Sequence, residues 1–274
     1  MIYLPTSSGS VYAALCRRIG TTEQVANRRK IVDVSVQMNN KLSPNGRRGM
    51  EIGSRREGFR LEESDMDHMI WHNHHRVFWK FSQIDYTKAA RQTIILSNTS
   101  ERPPGYALLW LPFERNADSV YVRINGLLCI SSAKYRKRML SLESSNYIEN
   151  GPCCTDNHGL IGYDHAYGFF CGFWPPPAFS WIGRCHSWPS KDVLIEIIQY
   201  GCHFVAIGNK AGNQENNEWR ISFSHAESKL VYSMNHTQFL TYGLLKLFLK
   251  ESINKDLEEA EKVLSSYHMK TAIF

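Results

Sequence analysis

This 274-residue sequence contains no run of 18 apolar residues and no hydrophobic segment typical of a signal peptide. It therefore offers no candidate for a membrane-spanning helix or a secretory leader. Its seven cysteines are an odd number without regular spacing, which favours a reducing compartment, the cytoplasm or the nucleus, over a disulfide framework. No internal repeat is visible, which argues against solenoid and propeller architectures.

A phosphate loop of the common NTPase type is also missing. The small-residue segment Thr6–Ser10 lacks the Gly-Lys-Ser/Thr ending that such a loop needs, so we interpret residues 1–20 as a lead-in segment. What the sequence does contain is 43% hydrophobic residues and a net charge of +6. This composition supplies a sizeable core for one large domain or two lobes, and it permits a polyanionic partner without requiring one.

The stretch Gly53–Met69, GSRREGFRLEESDMDHM, carries the clearest chemical pattern. A Gly-Ser turn can offer backbone N–H groups and a hydroxyl to phosphates. Asp65 and Asp67 follow, and on a strand two such residues project from the same face. Hard divalent cations are usually held by one or two carboxylates plus substrate phosphates. The combination suggests phosphoryl chemistry on a nucleotide, although an Asp-x-Asp pair also occurs at solvated turns and strand ends.

Around this motif the chain divides into a strand-rich part and a helix-rich part. A helix is predicted from Thr21 to Leu42, where Gln24 completes a capping box and Ile31, Val34, Met38 and Leu42 form an apolar stripe. Further helices are predicted from Ser190 to Gly201, after Asn235, and from Lys255 to the terminus. Strands are predicted at about 66–71, 93–96, 107–113, 120–130, 163–173, 203–208 and 218–224.

Several stretches together resemble the Mab-21-like nucleotidyltransferases, and within them the cyclic GMP-AMP synthase-like receptors of the mollusc type. They are GSRREGFRLEESDMDHM, YDHAYGFFCGFWPPPAFSWIGR, EWRISFSHAE, LLKLFLK and LSSYHMKTAIF, spread from Gly53 to Phe274. The resemblance implies an α+β, bilobed nucleotidyltransferase fold. A mixed β-sheet catalytic lobe with a long N-terminal spine helix would occupy residues 1–189. A helical C-terminal lobe would occupy residues 190–274, with further helical sequence expected after Phe274.

The resemblance also assigns roles to the acidic motif. In relatives the Gly-Ser turn, here Gly53 and Ser54, holds the triphosphate. Three acids hold two Mg²⁺ or Mn²⁺ ions, and in this sequence they resemble Asp65, Asp67 and Asp164. Two such metal ions activate an attacking ribose hydroxyl and stabilise the departing pyrophosphate. Asp164 would complete the site and help to deprotonate the hydroxyl.

Further positions match nucleotide contacts of the family in the C-terminal half. Some match contacts to the acceptor base or phosphates, and they are Arg220, Ser222, Ser224 and Glu227. Lys246 matches a phosphate-binding lysine, Ser266 a phosphate contact, and Tyr267 the tyrosine that stacks on a base. From the residues alone each assignment has an ordinary alternative, since a lone Arg or Lys is commonly solvated and a helical Tyr commonly belongs to a core.

No zinc is predicted. Some relatives carry a Cys- and His-rich zinc insertion after the segment that corresponds to SFSHAE, whereas Ser228–Thr237 contains no cysteine. This sequence also contains a His-rich group, which consists of His68, His72, His74 and His75. Its spacing fits no closed zinc pattern, so we interpret these histidines as structural or solvated.

Relatives are switched on by double-stranded nucleic acid lying along the spine helix. Candidate phosphate contacts of this kind are Arg28, Arg29, Lys30, Arg47, Arg48, Lys134, Arg136 and Lys137. These groups are equally well explained as solvated faces, and the sequence does not choose between RNA and DNA.

Three functions remain open at this point. The leading hypothesis is a ligand-activated enzyme that makes a cyclic dinucleotide from ATP and GTP or related nucleoside triphosphates. The second is a non-catalytic Mab-21-like scaffold that binds nucleotide or nucleic acid without turnover. The third is a nucleotidyltransferase that extends RNA linearly. No membrane partner is expected.

Overall fold

A computed structural model describes residues 7–61, 65–89, 91–113, 118–156, 162–258, 261 and 263–274. Residues 62–64, in the middle of the GSRREGFRLEESDMDHM motif, and three residues of the predicted final helix lie outside these ranges. The described helices are α1 (Ser7–Ile19), α2 (Thr22–Leu42), α3 (Gly53–Glu57), α4 (Tyr86–Ala89), α5 (Ser132–Leu140), α6 (Phe179–Ile182), α7 (Lys191–Tyr200), α8 (Ser224–Ser233), α9 (His236–Phe248) and α10 (Ser266–Ile273).

The described strands form a single mixed sheet. They are β1 (Arg47–Ile52), β2 (Met66–His72), β3 (His75–Phe78), β4 (Thr93–Asn98), β5 (Tyr106–Trp110), β6 (Tyr121–Ile124), β7 (Leu127–Ile130), β8 (Tyr147–Asn150), β9 (Cys153–Asp156), β10 (Tyr163–Cys171), β11 (Cys202–Val205) and β12 (Glu218–Ser222). The pairs β2–β10 and β3–β4 are parallel, while β1–β2, β9–β10 and β10–β11 are antiparallel. The prediction of an α+β protein with a mixed sheet is therefore confirmed.

Six of these strands close into a ring. The order β10-β11-β12-β5-β4-β3 returns to β10 through the pairing of Phe170 with Arg76. Every strand of the ring contributes to the largest hydrophobic cluster, which includes Val77, Ile95, Leu109, Phe169, Phe204 and Trp219. Trp219 is fully buried and donates its indole N–H to the carbonyl of Ile130 at 2.8 Å, so its one polar group is satisfied inside the core.

A second cluster joins the helices α1, α9 and α10 to the segment that carries the acidic motif. Phe59 stacks on Phe239 with ring centroids 4.4 Å apart, and Ile19 is fully buried beside them. Gly243 permits this packing, because a Cβ atom there would lie 2.4 Å from Cδ1 of Ile19. Residues 7–19 of the predicted lead-in segment form helix α1, because its apolar residues have this partner surface.

The predicted helix with its capping box is present as α2. Thr21 accepts from the backbone N–H of Gln24, and the Gln24 side chain accepts from the backbone N–H of Thr21. The apolar stripe, however, faces solvent: Ile31 is 66% and Leu42 77% exposed, whereas Val32 is buried. The packed face includes polar groups as well, since the Asn40 side chain exchanges two hydrogen bonds with the backbone of Gly49.

Several boundaries differ from the sequence-based expectation. The predicted strand 120–130 is a hairpin of β6 and β7, turned at Asn125-Gly126 with φ angles of 48° and 81°. Both turn residues need the left-handed region, which Asn and Gly tolerate best. Strands β8 and β9, which pair with each other, were not predicted, and in the described residues the final helix begins only at Ser266.

Strands on both sides of residue 189 share the sheet, because β11 and β12 lie between β10 and β5. The predicted boundary between residues 189 and 190 therefore does not coincide with a break in the sheet, and the division into two lobes stays a prediction. In the described part of the chain, no helix combines the length and apolarity that crossing a membrane requires.

Two buried histidines lie next to each other at one end of the ring. His203 is fully buried among Trp71, Phe170 and Tyr200, and the ring of His225 stacks on Tyr200 at 3.5 Å. Burial lowers the pKa of each imidazole to about 3. Both side chains are therefore neutral in the folded protein at neutral pH.

His203 and His225 are expected to contribute stability that is lost on acidification. Below pH 6.5 the unfolded chain binds protons at both histidines while the folded chain does not, so their contribution is complete above that pH and falls by about 2 kcal/mol per histidine at pH 5. Asp67 has the opposite effect, because its pKa is raised to about 7 and the folded chain binds the extra proton there. The histidine contribution is therefore measured as a difference between variants in urea unfolding between pH 5 and 8. On acidification across this range His203→Gln should lose about 2 kcal/mol less stability than His74→Gln, at an exposed histidine; equal pH dependence of the two variants would contradict the assignment.

Candidate active site

The Gly-Ser turn lies directly against one of the acids. Strand β1 ends at Ile52, which pairs with Asp67 of β2, and Gly53 then begins α3 with φ of 71°. A Cβ atom on Gly53 would lie only 2.2 Å from Oδ2 of Asp67. The position thus requires glycine twice, for its left-handed backbone and for the close approach of the carboxylate.

The acids are gathered by strand pairing. Asp67 and Asp164 are direct partners on the parallel strands β2 and β10, and Asp65 immediately precedes β2. Thr155, on the neighbouring β9, donates its hydroxyl to the carboxylate of Asp164 and so orients it. Asp164, which is far from Asp65 and Asp67 in sequence, therefore lies beside them where β2 and β10 begin, next to the Gly-Ser turn.

Burial and mutual repulsion raise the pKa of two of these carboxyl groups. Burial, followed by the charges of Asp164 and Asp65, raises the pKa of Asp67 to about 7. Burial and the charge of Asp164 also raise the pKa of Asp65. The nearby Cys153 thiol has its pKa raised to about 12 by burial and by two of these carboxylates. The site thus concentrates negative charge in a partly desolvated place.

Hard divalent cations suit this donor set, because all of its ligands are carboxylate oxygens and a cation would relieve the repulsion. Within the described ranges, no three His, Cys, Asp or Glu side chains already stand as a finished metal-binding group. Metal binding by Asp65, Asp67 and Asp164 stays a prediction that rests on the chemistry and proximity of the acids.

A buried lysine faces the turn from the other side. Lys246 of α9 is 7% exposed and donates to Oγ of Ser54 at 2.6 Å. Its ammonium also lies 4.9 Å from the ring centroid of Phe59 and 5.2 Å from that of Tyr242. Burial lowers the pKa of Lys246, and the carboxylate of Glu57 counteracts that effect. The structure therefore joins Ser54 and Lys246, which the sequence predicted separately as phosphate contacts.

The residues predicted for the base side form a second group. Ser222 ends β12, and its hydroxyl lies 2.9 Å from that of Ser224 at the start of α8. Arg220 is exposed on β12, and its charge reaches the Cys153 thiol beside the acids. Glu227 of α8 accepts from Lys270 of α10 at 2.7 Å.

Tyr267 and Glu227 line the same cleft. Its volume is about 370 Å³, and its walls include Trp174, Trp181 and Phe223. Tyr267 is 60% exposed, so the prediction of a stacking surface is compatible with its position, and the alternative of a core tyrosine is not. Ser266 precedes it as the first residue of α10 and is partly exposed.

Two charged residues of this region were not predicted. Glu57 is buried below the turn and Lys270 bonds to it at 2.6 Å. A signal was present in the sequence, because Glu57 stands one helical turn after Ser54 and Lys270 stands one turn after Tyr267. On a helix such spacing places residues on the same side.

Five of the predicted nucleic-acid contacts donate hydrogen bonds within the chain, among them Arg47, which donates to the hydroxyl of Tyr167 at 3.4 Å, and Arg48, which donates to the carbonyl of Arg47 at 2.8 Å. Arg28 donates to the carbonyls of Ile19 and Gly58, and Arg29 donates to the carbonyl of Glu57 while lying 4.4 Å from the Tyr232 ring centroid. Arg136 pairs with Glu149 at 2.6 Å and donates to the carbonyl of Ala206. The exposed members of the predicted set are Lys30, Arg47, Lys134 and Lys137, and Arg48 is partly exposed.

The histidine group lies at the turn between β2 and β3. The rings of His72, His74 and His75 have centroids 4.5–6.3 Å apart, and the ring of His68 is on β2 beside His165.

The segment Ser228–Thr237, discussed above for the zinc insertion of some relatives, contains the connection between α8 and α9. Helix α8 ends at Ser233 and α9 begins at His236, so this connection is short.

Residues 163–233 match the family model of the Mab-21 protein nucleotidyltransferase domain. The matched segment includes Asp164 and the base-side residues Arg220, Ser222, Ser224 and Glu227. It supports a relationship to the Mab-21 family and the nucleotidyltransferase class. The acid pair of β2, which lies before the matched segment, is placed beside Asp164 by the strand register.

Proposed function

We propose that this protein is a nucleic-acid-activated nucleotidyltransferase that makes a cyclic dinucleotide, similar to cyclic GMP-AMP, from ATP and GTP or a related pair. One observation carries the proposal: Asp67 and Asp164 are register partners on parallel strands, and Asp67 lies directly against Gly53 of the Gly-Ser turn. The match to the Mab-21 nucleotidyltransferase domain supports the reaction class.

The side chains have distinct tasks in this reaction. Asp65, Asp67 and Asp164 would hold two divalent ions, Mg²⁺ or Mn²⁺, which when bound activate a ribose hydroxyl and stabilise the leaving pyrophosphate. Ser54 and Lys246 meet the triphosphate, because their hydroxyl and ammonium are already side by side. We assign the carboxylate of Asp164, which is oriented by the hydroxyl of Thr155, as the acceptor of the proton of the attacking hydroxyl.

The base side completes the proposal. Tyr267 offers an exposed ring for stacking, which is worth about 1–3 kcal/mol per base. Arg220, Ser222, Ser224 and Glu227 contact the acceptor nucleotide, and Ser266 contacts a phosphate. Most catalysis comes from positioning and electrostatic stabilisation, since the protein itself forms no covalent intermediate.

Activation is assigned to double-stranded RNA or DNA along the exposed face of α2, which we propose as the spine of a two-lobed molecule. The exposed basic residues Lys30, Arg47, Lys134 and Lys137 supply phosphate contacts, together with the partly exposed Arg48. The function belongs in the cytoplasm or nucleus, in innate immune sensing. All seven cysteines are free thiols, which supports a reducing environment.

Incubation with radiolabelled ATP and GTP, Mg²⁺ or Mn²⁺, and double-stranded RNA or DNA tests the proposal. We expect a product that resists phosphatase and that contains two phosphodiester linkages which nuclease digestion cleaves. The variant Asp164→Asn should not form this product. Linear oligonucleotide products would instead indicate RNA extension. Nucleotide binding without any product would favour the non-catalytic scaffold.

A further inference from the structure

Four charged side chains form a connected network beneath the candidate site. Glu57, 1% exposed, receives the ammonium of Lys270 on one oxygen at 2.6 Å and the hydroxyl of Tyr242 on the other at 3.2 Å. Lys270 also donates to Glu227 at 2.7 Å. Lys246 lies 3.9 Å from the second oxygen of Glu57 and donates to Ser54.

The network is electrically balanced, with two ammonium groups facing two carboxylates. Lys270 is 9% exposed, and the charges of Glu57 and Glu227 raise its pKa although burial alone would lower it. Losing Lys270 would remove the ammonium 2.6 Å from Glu57 and leave Lys246 more distant, at 3.9 Å. An unpaired buried carboxylate is strongly unfavourable, so the neighbouring elements would be expected to rearrange.

Three members of the network stand one helical turn from a residue of the candidate site. Glu57 follows Ser54 on α3, Glu227 follows Ser224 on α8, and Lys270 follows Tyr267 on α10. A single ammonium therefore joins three elements that carry the phosphate turn, the base-side serine and the stacking ring. A further hydrogen bond joins α8 to α3, because the hydroxyl of Tyr232 in α8 donates to the backbone carbonyl of Arg56 in α3.

We propose that Lys270 is a positioning residue of the active site, which fixes the Gly-Ser turn and Lys246 relative to Glu227 and Tyr267. The inference rests on the proposed function. Lys270 acts through Glu57 and Glu227 and contacts no reacting atom. Its loss should therefore loosen nucleotide binding more than it slows the chemical step.

The test compares three variants of the whole chain. Lys270→Met keeps the length of the apolar stem and removes the charge, whereas Lys270→Arg keeps the charge. Arg102→Met is the matched control, because Arg102 pairs at 3.5 Å with Glu218, which is also 1% exposed, and lies outside the candidate site. Both Met variants thus leave a buried glutamate without its arginine or lysine.

Two measurements are made on each variant. ATP and GTP affinity is measured with Mn²⁺ by calorimetry, and KM and kcat follow from product formation. In Lys270→Met we expect Kd and KM to rise at least about tenfold with a smaller change in kcat, partial rescue in Lys270→Arg, and a change below about twofold in Arg102→Met. Hydrogen–deuterium exchange without nucleotide should show faster exchange of residues 53–59 only in Lys270→Met.

Equal losses of affinity in the two Met variants would overturn the proposal, as would unchanged exchange of residues 53–59 in Lys270→Met. If the wild-type protein binds no nucleotide under any condition, the proposed function fails. In that case the exchange measurement alone decides whether Lys270 fixes the turn.

Discussion

Replacement of Asp67 by asparagine is expected to abolish nucleotide transfer and, at the same time, to make the metal-free protein more stable. The carboxylate of Asp67 is mostly buried and faces the charges of Asp164 and Asp65, which the charge of Lys246 offsets only in part. A neutral amide of the same shape removes this repulsion but cannot replace the charge that a divalent ion requires.

The loss of activity should reach about a thousandfold or more, because residues that act as a unit are not replaced by the remaining members. The gain in the free energy of unfolding should be about 2 kcal/mol in EDTA, since one uncompensated charge is removed from a desolvated place. For a chain of this size that gain corresponds to a rise of about 4–8 °C in Tm.

Differential scanning fluorimetry at pH 8 measures both the stability and the metal dependence. Mn²⁺ or Mg²⁺ should raise the Tm of the wild-type protein by mass action and should not raise that of Asp67→Asn. Asp256→Asn, at an exposed aspartate, is the control and should change neither quantity. A variant that is less stable than the wild type in EDTA, or that retains a metal-induced shift, would contradict the role of Asp67.

The predicted chemistry of the acidic motif rests on residue type and local spacing, and it stays a prediction. Residue type and local spacing did not explain why Asp67 and Asp164 are close to each other. Their proximity is a property of strand register, and 97 residues separate them along the chain. The resemblance supplied Asp164 from its motif, and the parallel pairing of β2 with β10 gives the physical reason for the position.

Helix α2 illustrates what periodicity leaves open. The spacing of Ile31, Val34, Met38 and Leu42 correctly predicted a helix, but these side chains are exposed. Its packed face instead includes Arg29, which donates to the carbonyls of Glu57 and Val231. Long side chains with charged ends can cover an interface when their polar groups find backbone partners, and hydrophobic spacing does not reveal this.

Glu57 and Lys270 were missed for a related reason. A charged residue in a sequence is interpreted as solvated unless a partner is known, and the partner here comes from a helix more than 200 residues away. Buried ion pairs depend on the tertiary arrangement alone.

The second large effect is expected from Gly53→Ala. The added Cβ atom would lie 2.2 Å from Oδ2 of Asp67, so the carboxylate must rotate away from its position between the turn and Asp164. The φ angle of 71° adds backbone strain of about 1–2 kcal/mol for any residue with a Cβ atom. We expect turnover to fall about a hundredfold or more, because a displacement of about 1 Å at a reacting group has effects of that size.

Gly105→Ala separates the two causes. Gly105 has a φ angle of 84°, and nothing lies within 4 Å of the position that its Cβ atom would occupy. Both variants should therefore lose the stability that the backbone strain costs in urea unfolding, with a further loss in Gly53→Ala from the clash with Asp67. Only Gly53→Ala should lose turnover and the metal-induced rise in Tm. If Gly53→Ala kept its activity, Asp67 would have to reach its working position without the close approach of the turn, and the pairing of turn and acid would be incidental to catalysis.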